Sequence, residues 1–83
     1  MMHESFIVLN NFLEEHSEEH HAPEPDISFC WGKLKGYFYR AFVETVDGIV
    51  RPYVVIEYDV EEDDTVWPAF YSVDEVKTWM NSL

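Results

Sequence analysis

The stretch TVDGIV, residues 45–50, constrains the fold more than any other part of the sequence. An Asp-Gly pair between apolar residues is typical of a two-residue hairpin turn, because both turn positions require positive φ. A turn at Asp47-Gly48 fixes the register of the flanking strands, so that the numbers of paired residues sum to 95. This register sets Glu44 opposite Arg51, and an opposite-charge pair favours the same pairing.

The predicted register divides the side chains of the hairpin between two faces, because alternate residues of a strand point to opposite sides. One face is almost wholly apolar and is the predicted core, whereas the other mixes aromatic and charged side chains. If both terminal helices cover the first face, the aromatic side chains of the second are exposed together, which is typical of an interface. The core face has Tyr37, Tyr39, Ala41, Val43, Pro52, Val54, Ile56 and Tyr58, and the second face has Phe38, Arg40, Phe42, Glu44, Arg51, Tyr53, Val55 and Glu57.

Residues 27–71 are rich in Val, Ile, Phe, Tyr and Trp, which predicts three or four antiparallel strands. The acidic run EEDD at 61–64 predicts a chain reversal, and Val66–Phe70 predicts a short strand after it. Pro68 has no amide hydrogen, so we expect this strand to lie at an edge of the sheet or to carry a bulge. Cys30 lies in the same strand-forming segment, and we expect its thiol to be buried and unreactive.

The two ends of the chain predict helices. Ser72 and Glu75 form a capping box, which predicts a helix within segment 72–83 that begins at Ser72 and ends near Asn81. An apolar stripe predicts a helix over residues 3–19, within a segment 1–21 whose end is rich in acids and histidines. The stripe consists of Phe6, Leu9, Phe12 and Leu13, and the inward-facing residues of the C-terminal helix are Val76, Trp79 and Met80.

The sequence APEP makes residues 22–26 a proline-containing linker, because proline does not continue a helix. A chain of 83 residues forms one domain. The sequence therefore predicts a single α+β domain over residues 1–83, with the element order helix, antiparallel sheet, helix.

The stretch EEHSEEHH, residues 14–21, contains the inverted zincin pattern H-x-x-E-H from His16 to His20. A helix would place these two imidazoles one turn apart, where both can ligate one zinc ion. Structural zinc sites use four protein ligands, and catalytic sites use three with an open position. We therefore predict no enzymatic activity, no cofactor and no required metal, with His16 and His20 as the only candidate metal ligands.

A helix over the same stretch would place carboxylates one turn apart, where they repel one another. Each like-charged pair at i,i+4 costs about 0.2–0.5 kcal/mol, and acids near a helix C-terminus oppose its dipole. Protonation of His16 or His20 would relieve both penalties, which predicts that acid stabilises this turn. Either the charge serves a partner, or the segment frays into the linker. The pairs are Glu14 with Glu18 and Glu15 with Glu19.

The charge of the whole chain indicates the class of partner. There are 17 acidic and 5 basic residues, for a net charge of −12. Such a field repels nucleic acid and anionic membranes and attracts basic protein surfaces. A net charge of about 2–8 suffices for solubility in a small domain, so the excess favours a binding role.

In composition alone, the chain resembles phage-encoded inhibitors of restriction or CRISPR systems and immunity proteins against nuclease toxins. Carboxylates spaced along a helix and a turn can occupy sites where Arg and Lys would otherwise contact phosphates, which predicts a basic surface on a larger nucleic-acid-handling protein as the partner. One cysteine and no apolar segment of spanning length suit a cytoplasmic protein, or the host cytoplasm if the protein is phage-encoded.

The predicted partner-binding residues form two acidic rows and one sheet face. The sheet face has two alternative roles, as a homodimer interface or as a platform on which single-stranded nucleic acid stacks. A His-rich metal-binding protein is the remaining alternative. The rows are Glu14, Glu15, Glu18 and Glu19, and Glu61, Glu62, Asp63 and Asp64; the sheet face is centred on Phe38, Arg40, Phe42 and Tyr53.

Overall fold

The structure, a computed structural model, describes residues 3–24, 27–61 and 64–83. It has an α+β fold with an N-terminal helix, an antiparallel sheet and a C-terminal helix, as the sequence predicts. The helices are α1 (Glu4–His16) and α2 (Val73–Asn81), and the strands are β1 (Glu19–His21), β2 (Phe29–Leu34), β3 (Tyr37–Val46), β4 (Ile49–Ile56), β5 (Tyr58–Glu61), β6 (Asp64–Val66) and β7 (Ala69–Phe70).

The central hairpin of β3 and β4 has the predicted register. Asp47 and Gly48 form the turn with φ of 52° and 78°, the positive values that a two-residue hairpin turn requires. Glu44 pairs with Arg51 across the strands, and the Arg51 Nε atom donates a hydrogen bond to Glu44 Oε1 over 2.7 Å. The local turn sequence therefore determines which hairpin residues share a face.

The sheet has five strands in the order β1-β2-β3-β4-β7, one more than the upper limit of the prediction. β5 and β6 form a separate antiparallel two-stranded ribbon, and Glu62 and Asp63 of the predicted reversal lie outside the described residues.

The predicted strand Val66–Phe70 is not a single strand: Val66 ends β6, Trp67 and Pro68 lie in no strand, and only Ala69–Phe70 pairs, as β7, at the edge of the sheet. Pro68 has no amide hydrogen and interrupts the strand instead of lying within it. A second tight turn, at Lys35 and Gly36 with φ of 54° and 85°, joins β2 to β3.

Both helices pack on the predicted core face of the sheet. Cys30 is fully buried in the core between the helices and the sheet. Burial raises the pKa of its thiol to about 12, so Cys30 is an unreactive core residue. The core consists of Phe6, Leu9, Phe12 and Leu13 from α1, Cys30, Leu34, Tyr39, Ala41, Val54 and Ile56 from the sheet, and Val76 from α2.

The capping box of α2 is present. Ser72 Oγ accepts a hydrogen bond from the Glu75 amide over 3.3 Å, and the Glu75 carboxylate accepts one from the Tyr71 amide. Trp79 and Met80 pack against the core beside the buried Val76, as predicted. Within the described part of the chain, no helix is long and apolar enough to cross a membrane.

The predicted extent of the N-terminal helix, residues 3–19 within segment 1–21, is wrong. α1 ends at His16, and Ser17 is extended with φ of −84° and ψ of 144°. The chain then forms β1 beside β2, and the Glu18 amide donates to the Lys33 carbonyl over 2.9 Å. The edge of β2 offers backbone partners to this segment, whereas a longer helix would have kept the like-charged carboxylates one turn apart. Pro25 and Asp26 of the predicted linker lie outside the described residues.

Candidate interaction surface

Neither helix packs against the second face of the sheet, which we call the open face. Cross-strand pairing extends it beyond the hairpin onto β1 and β2, because directly paired residues point to the same side of a sheet. The open face therefore carries Glu19 and His21 from β1, Phe29, Trp31 and Lys33 from β2, Phe38, Arg40, Phe42 and Glu44 from β3, Arg51, Tyr53 and Val55 from β4, and Glu57, which follows β4.

An aromatic cleft of about 370 Å³ lies on the open face. Trp31 and Phe38 line it from neighbouring strands, and Trp67 reaches it from the connection between β6 and β7. These three side chains are 39%, 54% and 54% exposed, so large apolar surfaces face solvent together. Arg40 and Glu57 contribute one charge of each sign to the lining.

The other end of the open face is a row of aromatic rings that are tilted against one another. Phe42 and Tyr53 have ring centroids 4.9 Å apart, and Tyr53 lies 5.4 Å from Tyr71. The guanidinium carbon of Arg51 lies 3.9 Å from the Tyr71 ring centroid, close enough for a cation–π contact. The predicted face residues Phe38, Phe42 and Tyr53 therefore do share a face, although Phe42 and Tyr53 are partly covered by their neighbours.

This surface also includes Trp31, Trp67 and Tyr71, which the sequence patterns above do not predict as site residues. A two-residue turn at Lys35-Gly36 would be enough to predict Trp31 on this face, because it pairs Trp31 with Arg40. Trp67 and Tyr71 reach the surface through tertiary packing of the β6–β7 connection, for which the sequence has no comparable local pattern.

Charge is segregated between the open face and the rest of the molecule. Three of the chain's five basic side chains point to the open face, and three acids accompany them, so its net charge is zero. Among the described side chains elsewhere, ten acids stand against two cations, Lys35 and Lys77. The open-face ions are Lys33, Arg40 and Arg51, and Glu19, Glu44 and Glu57.

The first predicted acidic row is not continuous. Glu14 and Glu15 are exposed on the last turn of α1. The Glu18 carboxylate instead accepts hydrogen bonds from the Lys35 and Gly36 amides, over 2.9 and 2.8 Å. Glu19 lies on β1 with Oε1 3.1 Å from His21 Nε2. Glu18 is thus a structural residue that holds the β2–β3 turn, and Glu19 belongs to the open face.

The second predicted row is described only at its two ends. Asp64 is exposed at the start of β6, and Glu61 ends β5. Glu62 and Asp63 lie outside the described residues, as does the side chain of Glu61.

The two candidate metal ligands do not lie on one helix. His16 ends α1, and its Nδ1 atom lies 2.9 Å from the Phe12 carbonyl oxygen, whereas His20 belongs to β1 and points to the core side. The prediction that they lie one helical turn apart is wrong, because the helix ends between them. Within residues 3–24, 27–61 and 64–83, no three His, Cys, Asp or Glu side chains are grouped to hold a metal ion.

His20 instead belongs to a partly buried polar network. Its Nε2 atom lies 3.1 Å from Asn10 Oδ1, and its Nδ1 atom lies 2.6 Å from Tyr39 Oη, which also accepts a 2.9 Å hydrogen bond from Ser17 Oγ. Since Asn10 Oδ1 can only accept, the neutral imidazole with its proton on Nε2 satisfies both contacts. Burial lowers the pKa of His20, the Glu14 charge opposes this shift, and His21 adds to it.

Gly32 makes room for this network. A Cβ atom at Gly32 would lie 2.0 Å from the Glu19 carbonyl oxygen and 2.9 Å from Tyr39 Oη. β1 therefore approaches β2 only because this position has no side chain.

Comparison with known proteins places the chain in no family. No protein-family model, curated protein or solved structure matches it.

Proposed function

We propose that this protein is a non-enzymatic binding protein that occupies the basic, nucleic-acid-binding surface of a larger protein. The observation that carries the proposal is the segregation of charge: a neutral open face and a strongly acidic remainder. Carboxylates that are presented along a surface can occupy the sites where Arg and Lys would otherwise contact phosphates. This role agrees with the compositional resemblance to inhibitors of defence nucleases and to nuclease immunity proteins.

The contacts divide the acidic side chains into two kinds. Glu14 and Glu15 project from the end of α1, and Asp64 projects from the ribbon, so all three are exposed to a partner. Glu18 is committed to the Lys35-Gly36 turn and leaves the proposed contact set. Among the described residues, the revised set of partner-binding acids is therefore Glu14 and Glu15 at the end of α1 and Asp64 on the β5–β6 ribbon.

Long-range electrostatics supports a basic partner. A net charge of −12 raises the encounter rate with a positively charged surface and lowers it for nucleic acid. Such binding weakens with salt, because the charges that steer the encounter are screened.

Affinity capture from host lysate, at low and at high salt, tests the proposal. The wild-type protein should retain a basic nucleic-acid-binding protein at low salt and release it at high salt, and added nucleic acid should compete. The variant Glu14→Lys/Glu15→Lys should lose this partner.

The control variant Glu24→Lys/Asp74→Lys carries the same change in net charge at two other exposed positions. This control variant should capture most of the partner that the wild-type protein captures. Equal capture by wild type and by Glu14→Lys/Glu15→Lys would contradict a contact through the end of α1.

A further inference from the structure

We propose that a second copy of this chain covers the open face, so that the protein is a homodimer joined sheet to sheet. This inference does not rest on the proposed function, because it concerns the neutral face and not the acidic remainder of the surface.

The exposed side chains of the open face are those of a protein interface. Trp31, Phe38 and Trp67 leave large aromatic surfaces in solvent around one cleft. Interface cores are enriched in Trp, Tyr, Phe and Arg, and a contiguous apolar patch is costly to leave in water. Two sheets that pack face to face bury such side chains between them.

The charge pattern selects a second copy as the occupant. Two chains of net charge −12 repel one another over most of their surfaces. The open face has no net charge and carries three charges of each sign. In a two-fold interface each copy presents the same patch, so a patch of mixed sign can set its acids against its partner's cations.

The same pattern disfavours the other occupants. A strongly basic protein is attracted to the acidic remainder of the surface more than to a neutral face. Single-stranded nucleic acid requires phosphate neutralisation, and the three open-face cations are matched by three acids on the same face. Sheet-to-sheet pairing also leaves the end of α1 accessible, since both helices lie on the opposite side.

Sedimentation equilibrium over a concentration series tests the dimer. Wild-type protein should sediment as a monomer–dimer equilibrium, with the dimer favoured as concentration rises. Phe38→Glu and Trp67→Glu should each raise the dimer dissociation constant by roughly tenfold or more, because each places a charge in the apolar part of the interface. Circular dichroism and urea unfolding at low protein concentration show whether each variant is folded.

Val8→Glu is the matched control, because Val8 is 67% exposed on α1, away from the open face, and receives the same added charge. It should dimerise nearly as wild type does. Salt should strengthen the dimer by screening the repulsion between two acidic chains, whereas it should weaken binding to a basic partner. The two proposals therefore fail independently.

Three results would overturn the dimer. The first is a wild-type protein that is monomeric at all concentrations and salt levels. The second is a dimer that Phe38→Glu and Trp67→Glu weaken no more than Val8→Glu does. The third is a monomeric protein that binds single-stranded oligonucleotide and loses this binding in folded Phe38→Glu, which would assign the open face to nucleic acid.

Discussion

His20 Nδ1 lies 2.6 Å from Tyr39 Oη, and this contact ties the edge strand β1 to the central strand β3. Tyr39 is 2% exposed, so its hydroxyl depends on protein partners, which are His20, Ser17 and, at 3.5 Å, the Glu19 carbonyl oxygen. A buried hydroxyl or imidazole without a partner is costly, so the network favours one position of β1 over others. The acidic segment after α1 is therefore held in place by neutral hydrogen bonds as well as by its backbone pairing.

The network predicts that acid destabilises the protein through His20. The pKa of His20 is lowered from 6.5 by burial, so the unfolded chain binds this proton more readily than the folded chain does. Stability contributed by His20 is complete above pH 6.5 and is lost as pH falls from there toward the lowered folded pKa. The expectation from the sequence that acid tightens this segment is thus reversed at His20.

Urea unfolding between pH 5 and pH 8, a range chosen about the ordinary histidine pKa, measures this effect against His20→Gln. Gln has no proton to gain, so the difference in unfolding free energy between the two proteins should shrink as pH falls. Glu14 and His21 are present in both proteins, and their contributions cancel in this comparison to first order. A difference that stays constant with pH, or grows in acid, would show that His20 is not held neutral.

Gly32→Ala should destabilise the fold by about 1–3 kcal/mol. The added Cβ would lie 2.0 Å from the Glu19 carbonyl oxygen, so β1 must move away from β2. Hydrogen exchange at the amides of β1 reports this movement directly. Gly36→Asn is the control, because no atom other than those of its chain neighbours lies within 4 Å of a Cβ there and Asn tolerates positive φ.

Gly36→Asn should cost less than about 1 kcal/mol and leave the β1 amides protected. Normal protection of those amides in Gly32→Ala would mean that β1 does not need the glycine.

Glu18→Ala should lower the unfolding free energy by roughly 0.5–1.5 kcal/mol, because the Lys35 and Gly36 amides lose their acceptor. Glu15→Ala is the matched change on the preceding helix, where the carboxylate lies near the unfavourable helix C-terminus. It should leave stability unchanged or slightly raised. Equal effects of the two substitutions in urea unfolding would argue against a structural role for Glu18.

Removal of metal should not change the melting temperature. His16 faces the Phe12 carbonyl oxygen, and both ring nitrogens of His20 face partners within the protein. Thermal unfolding with and without a chelator should therefore give the same Tm. A fall of several degrees on chelation, restored by zinc, would show that a metal contributes to folding after all.

Local rules account for the parts of the fold that the sequence predicts. The Asp47-Gly48 turn determines the β3–β4 register, and the Ser72–Glu75 capping box determines where α2 begins, because each rule acts within a few residues. The end of α1 follows no such rule. The residues after His16 pair with residues of β2 that lie 10 to 14 positions further along the chain, and this tertiary pairing overrides the helical pattern.

The candidate surface is likewise predicted in part by local patterns and determined in part by tertiary packing. The alternation of β3 and β4 predicts that Phe38, Phe42 and Tyr53 share a face, and they do. The aromatic cleft also needs Trp67, which lies outside that hairpin and reaches the cleft through the packing of the β6–β7 connection. The hairpin side of the open face already has two charges of each sign, and β1 and β2 add Glu19 and Lys33, so the face stays neutral.

We expect the acidic surface outside the open face to bind a basic partner. Titration calorimetry over a salt series tests this binding by measuring the affinity for the captured partner, for wild type and for Glu14→Lys/Glu15→Lys. We predict that wild-type affinity falls steeply with salt and that the variant binds more weakly with a shallower salt dependence. Unchanged affinity and an unchanged salt dependence in the variant would contradict binding of the partner through Glu14 and Glu15 at the end of α1.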